Sequence, residues 1–291
     1  MALITDRSIA RRGVVRVSAD ATERVEDAIA VEEPLEIRVN GEPVAVTMRT
    51  PGDDHRLAIG FLFAEGIIRG QDDLGTVTHC GRPGEEGYGN VIDCLAAPGV
   101  QLELERLETS RRGTLTTSAC GVCGRRTVED LVSAAGPVER EVRVRRSVLA
   151  GSTGLLRDVQ RVFEQTGGTH AAAALDEAGQ LLAGFEDVGR HNAVDKVVGE
   201  LVLRGLSARR AGVGPGIPEI GTPAILVVSG RASFEIVQKA ARAEIPVVAS
   251  VSAASSLAVD LAERVNVTLA TFVRGGAFNL CTHPERVLLE G

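Results

Sequence analysis

The sequence has no Trp, a single Tyr at position 88 and only seven Phe in 291 residues. Surfaces that stack nucleic-acid bases rely on aromatic side chains, so this composition argues against that class. Positive charge is also short. Thirty-two Lys and Arg stand against 39 Asp and Glu, a formal net charge of -7. This argues against general binding to a nucleic-acid phosphate backbone, but not against a local basic pocket for one small anion. No apolar run approaches the roughly 18 residues that span a bilayer. The first residues carry Arg7, Arg11, Arg12 and Arg16 without the apolar centre of a secretory signal. Cysteine is sparse and odd in number, five in all. That pattern fits a reducing cytoplasm better than a disulfide scaffold.

What is present is ordinary globular material, 44% hydrophobic and 24% charged. The length allows one large domain or two modest ones. Residues 1–16 read as a flexible, basic start. Apolar and charged residues alternate over 35–39, Asn40-Gly41 is a strong hairpin signal, and 44–48 reads as the return strand. Pro51-Gly52-Asp53-Asp54 predicts a helix start, with the helix burying Leu57, Phe61 and Leu62 and ending at Gly66. Short strands are expected near Val77, near Val91 and over 102–104. This organisation gives a small α+β domain over 17–108.

Residues 109–126 are rich in Ser, Thr, Gly and Arg and lack apolar periodicity, which predicts a mobile loop. Thr127-Val128-Glu129-Asp130 then resembles a helix N-terminus. The segment 127–291 is better patterned. One helix is expected over 151–165, paired strands over 170–175 and 180–185, and a helix over 191–203. A Gly/Pro-rich stretch, 207–222, reads as an exposed loop. Strand and helix then alternate through 224–228, 233–243, 246–251, 255–265 and 267–273. Such alternation predicts an α/β domain with a mainly parallel sheet and helices on both faces.

Ligands of open α/β sheets bind beyond the carboxyl ends of the strands. Three such ends can be read: Ser229-Gly230-Arg231, Ser252-Ala253-Ala254 and Arg274-Gly275-Gly276. Two of them open helices, whose N-terminal amides attract anions. Glycine lets the backbone approach a phosphate, and Arg231 and Arg274 can fork onto one. Ordinary caps and turns use the same residues, so the weight lies in three ends on one edge.

The pair Cys120 and Cys123 admits four readings. A structural zinc site needs about four ligands, and no second CxxC exists, although Cys281 and His283 could complete a set. A dithiol redox pair usually follows a strand in a βαβ unit, which is not the pattern here. Packing cysteines need no flanking glycines, yet Gly121 and Gly124 are present. A nucleophilic or carrier thiol needs a positive neighbourhood, and Arg111, Arg112, Arg125 and Arg126 supply one. Cys80, Cys94 and Cys281 read as packing residues. A further polar cluster, Glu186 to Lys196 with His170 upstream, is either an acid/base or ligand site or a set of loop-pinning residues. Zinc deaminase chemistry lacks its signature: Asn192-Ala193 follows His191, and Ala119 precedes Cys120.

Cys120-Gly121-Val122-Cys123-Gly124 resembles the CGxCG loop of the FdhD/NarQ family, the formate dehydrogenase accessory sulfurtransferases. The resemblance extends over Glu33 to Gly41, Met48 to Asp53, Gly60-Phe61-Leu62, Glu65 to Ile68, Gly168 to Ala172, Asp187 to Lys196, Ser229-Gly230-Arg231 and Ser250 to Ala253. It implies a cytidine-deaminase-like three-layer α/β/α domain behind the smaller N-terminal α+β domain, without deaminase zinc. It implies that sulfur from a cysteine desulfurase is held as a persulfide on Cys120, with Cys123 assisting or relaying. The recipient would be the molybdenum bis(guanine dinucleotide) cofactor, bound as substrate before it enters formate dehydrogenase, with GDP as an analogue. The implied cofactor segment is Phe272, Val273, Arg274, Gly275, Gly276 and Ala277, joined by Ser229, Gly230, Arg231, Ser252 and His191. No metal is expected on the protein itself. Members of the family are cytoplasmic and homodimeric. The competing expectation is a non-catalytic cofactor chaperone with a structural or zinc-binding cysteine loop.

Overall fold

A computed structural model describes residues 7–81, 88–102, 135–206 and 221–289. The expected helix start at Thr127 and the loops over 109–126 and 207–220 lie outside them, as do residues 103–104 of the expected third short strand. The chain opens with β1 (Ile9–Val17) and β2 (Thr22–Ala30), an antiparallel ribbon. The expected loosely held start is therefore a strand from Ile9 onward. The alternation that would have revealed it is missing, because both faces of Arg11 to Val17 meet solvent.

Next come β3 (Glu33–Val39), β4 (Glu42–Arg49), α1 (Asp54–Ala64), β5 (Leu74–His79) and β6 (Val91–Ala96). The four strands form one sheet in the order β4-β3-β6-β5. Leu35, Ile37 and Val39 are fully buried, which is the period-two face the sequence shows. Asn40 and Gly41 turn the hairpin at φ of 50° and 83°, the left-handed pair that a two-residue loop requires. In α1, Leu57 and Leu62 are buried as expected, and Gly66 follows at φ 76°.

The remainder is β7 (Val144–Arg145), α2 (Arg146–Gly151), a 3-10 segment (Ser152–Val159), α3 (Arg161–Thr166), β8 (His170–Leu175), β9 (Leu181–Asp187), α4 (Arg190–Leu203), β10 (Ile225–Val228), α5 (Phe234–Arg242), β11 (Val247–Ser250), α6 (Ser256–Arg264), β12 (Thr268–Arg274), β13 (Ala277–Leu280) and β14 (Val287–Leu288). The single helix expected over 151–165 is instead three short turns. Gly151 and Gly154 interrupt it, residues that hold helix poorly.

Six strands make the main sheet, in the order β13-β12-β11-β10-β8-β9. Only β10, β11 and β12 run parallel. The sheet is mixed rather than mainly parallel, because two tight hairpins, β8–β9 and β12–β13, add antiparallel strands at its flanks. The central strands are buried along their length, as sheets covered on both faces require. In β8, Ala172 and Ala174 join the core shared with α1 and α4 to α6, while Ala171, Ala173 and Leu175 join a second core under α2 and the 3-10 segment. The fold is thus a mixed α/β structure with six helices among the described residues and helical cover on both faces.

The first core also takes in Leu35, Ile37, Leu57 and Ile92 from the N-terminal sheet and helix. Its closest point is the crossing of α1 and α4. A methyl group on Gly60 would fall onto the Asp195 carbonyl, and one on Gly199 onto the Arg56 carbonyl. Glycine alone permits this backbone-to-backbone contact.

Candidate functional site

Beyond the carboxyl ends of β10, β11 and β12 lies a groove of about 740 Å³. One wall is the sheet edge itself, with Ser229, Val251, Val273, Arg274 and Gly275. The opposite wall comes from α2, the 3-10 segment, α3 and the entry to β8, with Thr153, Arg157, Gln160, Phe163 and His170. Thr153 donates its hydroxyl to the Val273 carbonyl at 2.9 Å and so ties the walls together.

The edge is held by its own hydrogen bonds. Ser229 Oγ accepts from the Ala171 N–H at 2.9 Å. Ser250 donates to the Gly230 carbonyl at 2.7 Å, and the Phe272 N–H donates to Ser252 O at 3.1 Å. Ser252 therefore works as a brace between turns. Phe272 sits at φ 53°, strained for a residue with a side chain, next to a register shift in β12. The Arg274 guanidinium lies 5.8 Å from the Phe272 ring. Gly275 and Gly276, at φ 60° and 79°, turn the chain into β13, where Ala277 pairs with Arg274.

The structure thus brings Ser229, Val273, Arg274 and Gly275 into one groove, with Phe272, Gly276 and Ala277 completing the same hairpin. Gly230 lies behind them, and Arg231 is exposed. His191 does not line the groove. It is buried against α5, its Nε2 lying 2.5 Å from Glu235 Oε2 and 3.1 Å from Ser233 Oγ. Cys120 and Cys123 lie outside the described residues.

The polar cluster at the start of α4 divides in two. Asp187 is fully buried and accepts from the N–H groups of Thr50 and Gly189, from Asn192 Nδ2 and from Lys196 Nζ. Asn192 also donates to Met48 O at 2.7 Å and accepts from Thr47. These residues pin the loop after β4 to α4, the structural one of the two readings. His170 instead lines the groove, and it and Arg190 both lie 3.5 Å from where a side chain on Gly230 would begin. Burial lowers the basicity of His170, helped by Arg190 and His191 and opposed by Asp187.

Arg157 and Phe163 were not legible as site residues, because the segment reads as one plain helix. Among the other cysteines, burial pushes the Cys94 thiol up to about 12, as an inert packing residue requires. Cys281 is exposed, which corrects the packing reading for that residue. It terminates β13 at the edge of the main sheet, where one face meets solvent. Among the described residues no group of three metal-ligating side chains converges, and His283 is engaged by Glu263 and Glu285. No helix among them is long and apolar enough to cross a membrane.

The sequence profile of the FdhD/NarQ family matches residues 30–288. The chain belongs to the FdhD/NarQ family. A relative from Anaeromyxobacter dehalogenans strain 2CP-1, named sulfur carrier protein FdhD, is 52% identical over 284 residues, 98% of this chain and 95% of the relative. A Streptomyces coelicolor protein of the same name is 46% identical, covering 96% of each chain. Among solved structures, a protein of Desulfotalea psychrophila designated a formate dehydrogenase accessory protein matches with a TM-score of 0.73 at 23% identity, over 97% of this chain and all of that one. That likeness carries the fold. The FdhD/NarQ match spans both sheets and the glycine crossing between them.

Proposed function

We propose that this FdhD/NarQ chain carries sulfur for formate dehydrogenase maturation. A cysteine desulfurase supplies the sulfur, Cys120 holds it as a persulfide, and the molybdenum bis(guanine dinucleotide) cofactor receives it. The observation that carries the reading is the groove. It unites Ser229, Val273, Arg274 and Gly275, picked from separate stretches of sequence, with a second guanidinium at Arg157 on the facing wall. Small-molecule sites commonly hold about 300–1,000 Å³, and the groove holds about 740 Å³. Two guanidiniums and glycine-bared amides suit phosphoryl oxygens. Full-length relatives bearing the sulfur carrier name support the cysteine half of the reading.

The chemistry balances. The Cys120 thiolate attacks the outer sulfur of the desulfurase persulfide, that S–S bond breaks, and the desulfurase leaves as a thiolate. In the forward hand-off, attack by Cys123 on Cys120 forms a disulfide and releases the outer sulfur as hydrosulfide to the cofactor. A dithiol reductant then restores the pair.

The test is the intact mass after incubation with a cysteine desulfurase and cysteine. Wild type gains one sulfur and Cys120→Ala gains none. Equal uptake by Cys120→Ala rejects the assignment. If a Cys120→Ala, Cys123→Ala double variant still matures formate dehydrogenase, the chain is a cofactor chaperone instead.

A further inference from the structure

Strand β12 does not run out as a regular strand. Its pairing with β11 reaches Ala249 and Ala270, and its register with β13 steps from Thr271 and Asn279 to Arg274 and Ala277. Phe272 and Val273 therefore stand opposite Phe278 alone, a bulge of two residues against one. When a bulge residue is left-handed it is ordinarily glycine. Here it is Phe272, at φ 53°. Such strain persists only where the surroundings over-determine it, and it collects at functional sites.

The bulge is held from three directions. The Phe272 N–H donates to Ser252 O at 3.1 Å. The Val273 side chain is fully buried in the second core with Leu149 and Leu156. The Val273 carbonyl accepts the Thr153 hydroxyl at 2.9 Å, across 120 residues of sequence. That last contact departs from habit. A Ser or Thr within a helical segment commonly returns its hydroxyl to a carbonyl three or four residues back. Ser152 does so on Leu149 at 2.8 Å, and Thr166 does so on Val162 at 2.7 Å. Thr153 instead commits its proton to the other wall of the groove. Its own backbone is anchored, since Ser152 is 1% exposed and Leu156 is 2% exposed.

Arg274 follows directly. Its guanidinium lies 5.8 Å from the centroid of the Phe272 ring, and Phe272 is 40% exposed. A long arginine side chain beside a Gly-Gly turn has many orientations open to it, and an aromatic face within about 6 Å favours one of them. The ring offers that face only while Phe272 keeps its left-handed conformation. A shift of the Val273 carbonyl therefore moves ring and guanidinium together. We propose that Thr153 is a positioning residue, whose hydroxyl holds the bulge at Phe272 and Val273 so that Arg274 is presented to a phosphorylated ligand. Thr153 and Arg274 both line the groove. The proposal rests on the groove being a site for such a ligand.

Two measurements on the full chain test this. The first is a double-mutant cycle read by titration calorimetry, with GDP as the probe. Thr153→Val keeps the branched shape and removes the hydroxyl, and should weaken GDP binding about fivefold. Thr153→Ser should recover most of that loss. In an Arg274→Ala background, Thr153→Val should change affinity by less than about twofold, because the side chain it positions is gone. The second is hydrogen exchange of the ligand-free protein, read by mass spectrometry over residues 271–278. Thr153→Val should speed exchange there by about threefold or more, and Thr153→Ser should not. A loss of about fivefold that persists after removal of Arg274 overturns the proposal. So does hairpin exchange in Thr153→Val equal to wild type. Failure of wild type to bind GDP overturns the phosphate reading of the groove, while hydrogen exchange still judges the hold of Thr153 on the bulge.

Discussion

Lys196 meets Asp187 at 2.8 Å in complete burial, and the same ammonium reaches the Thr50 carbonyl at 3.3 Å, across the joint between the N-terminal sheet and α4. Every acceptor around Asp187 is matched to a donor, so the pair is a clasp whose polar capacity is fully used. Removing one charge strands the other. Asp187→Asn should cost about 3–5 kcal/mol of folding stability, read from the denaturant midpoint. A midpoint unchanged from wild type would show that the clasp contributes nothing net.

The glycine crossing predicts a second loss of a different kind. At Gly199 the obstacle to a methyl group is the Arg56 backbone, not a side chain that could swing away. Gly199→Ala should force α1 and α4 apart and cost about 3 kcal/mol, even though alanine favours helix. A stabilised Gly199→Ala protein would mean that the helices are free to separate.

Arg274 and Arg157 both line the groove, and each should matter to a phosphorylated ligand. With GDP as the probe, Arg274→Ala and Arg157→Ala should each weaken binding about tenfold by titration calorimetry. Each should leave sulfur uptake at Cys120 unaltered. Full affinity in Arg157→Ala would confine binding to the sheet edge.

Burial holds both His79 and His170 below the ordinary histidine range. A histidine whose folded value is depressed binds its proton more readily in the unfolded chain. Stability is therefore intact above about pH 6.5 and falls as pH drops below it. The melting temperature should decline from pH about 7.5 to about 5.5, and His170→Gln should decline less over that interval. An identical slope in His170→Gln would show that His170 takes up its proton as easily folded as unfolded.

Much of the fold was legible because local chemistry agrees with it. Asn40-Gly41 dictates its hairpin, and the strand–helix alternation from Ala224 onward gives β10 to β12 within a residue or two. What escaped notice lacks a periodic signal. The β1–β2 ribbon is solvated on both faces, so Arg11 to Val17 do not alternate. Ala277 to Leu280 form a four-residue edge strand, too short to announce itself. At the site, the sheet-edge glycines and Arg274 could be picked from strand ends alone. Arg157 could not, since only the three-dimensional course of the 3-10 segment brings it to the groove.

The crossing at Gly60 and Gly199 also sets an order of events during synthesis. Helix α1 ends at Ala64, but the helix it packs against is complete only at Leu203. The intervening 139 residues (203 minus 64) take roughly 7 to 28 seconds to translate at about 5–20 residues per second. Until then Leu57, Leu62 and Phe63, all buried in the finished protein, have no partner helix to cover them. The nascent chain therefore carries an uncovered apolar face for much of its time on the ribosome. That face closes only when a segment encoded far downstream arrives.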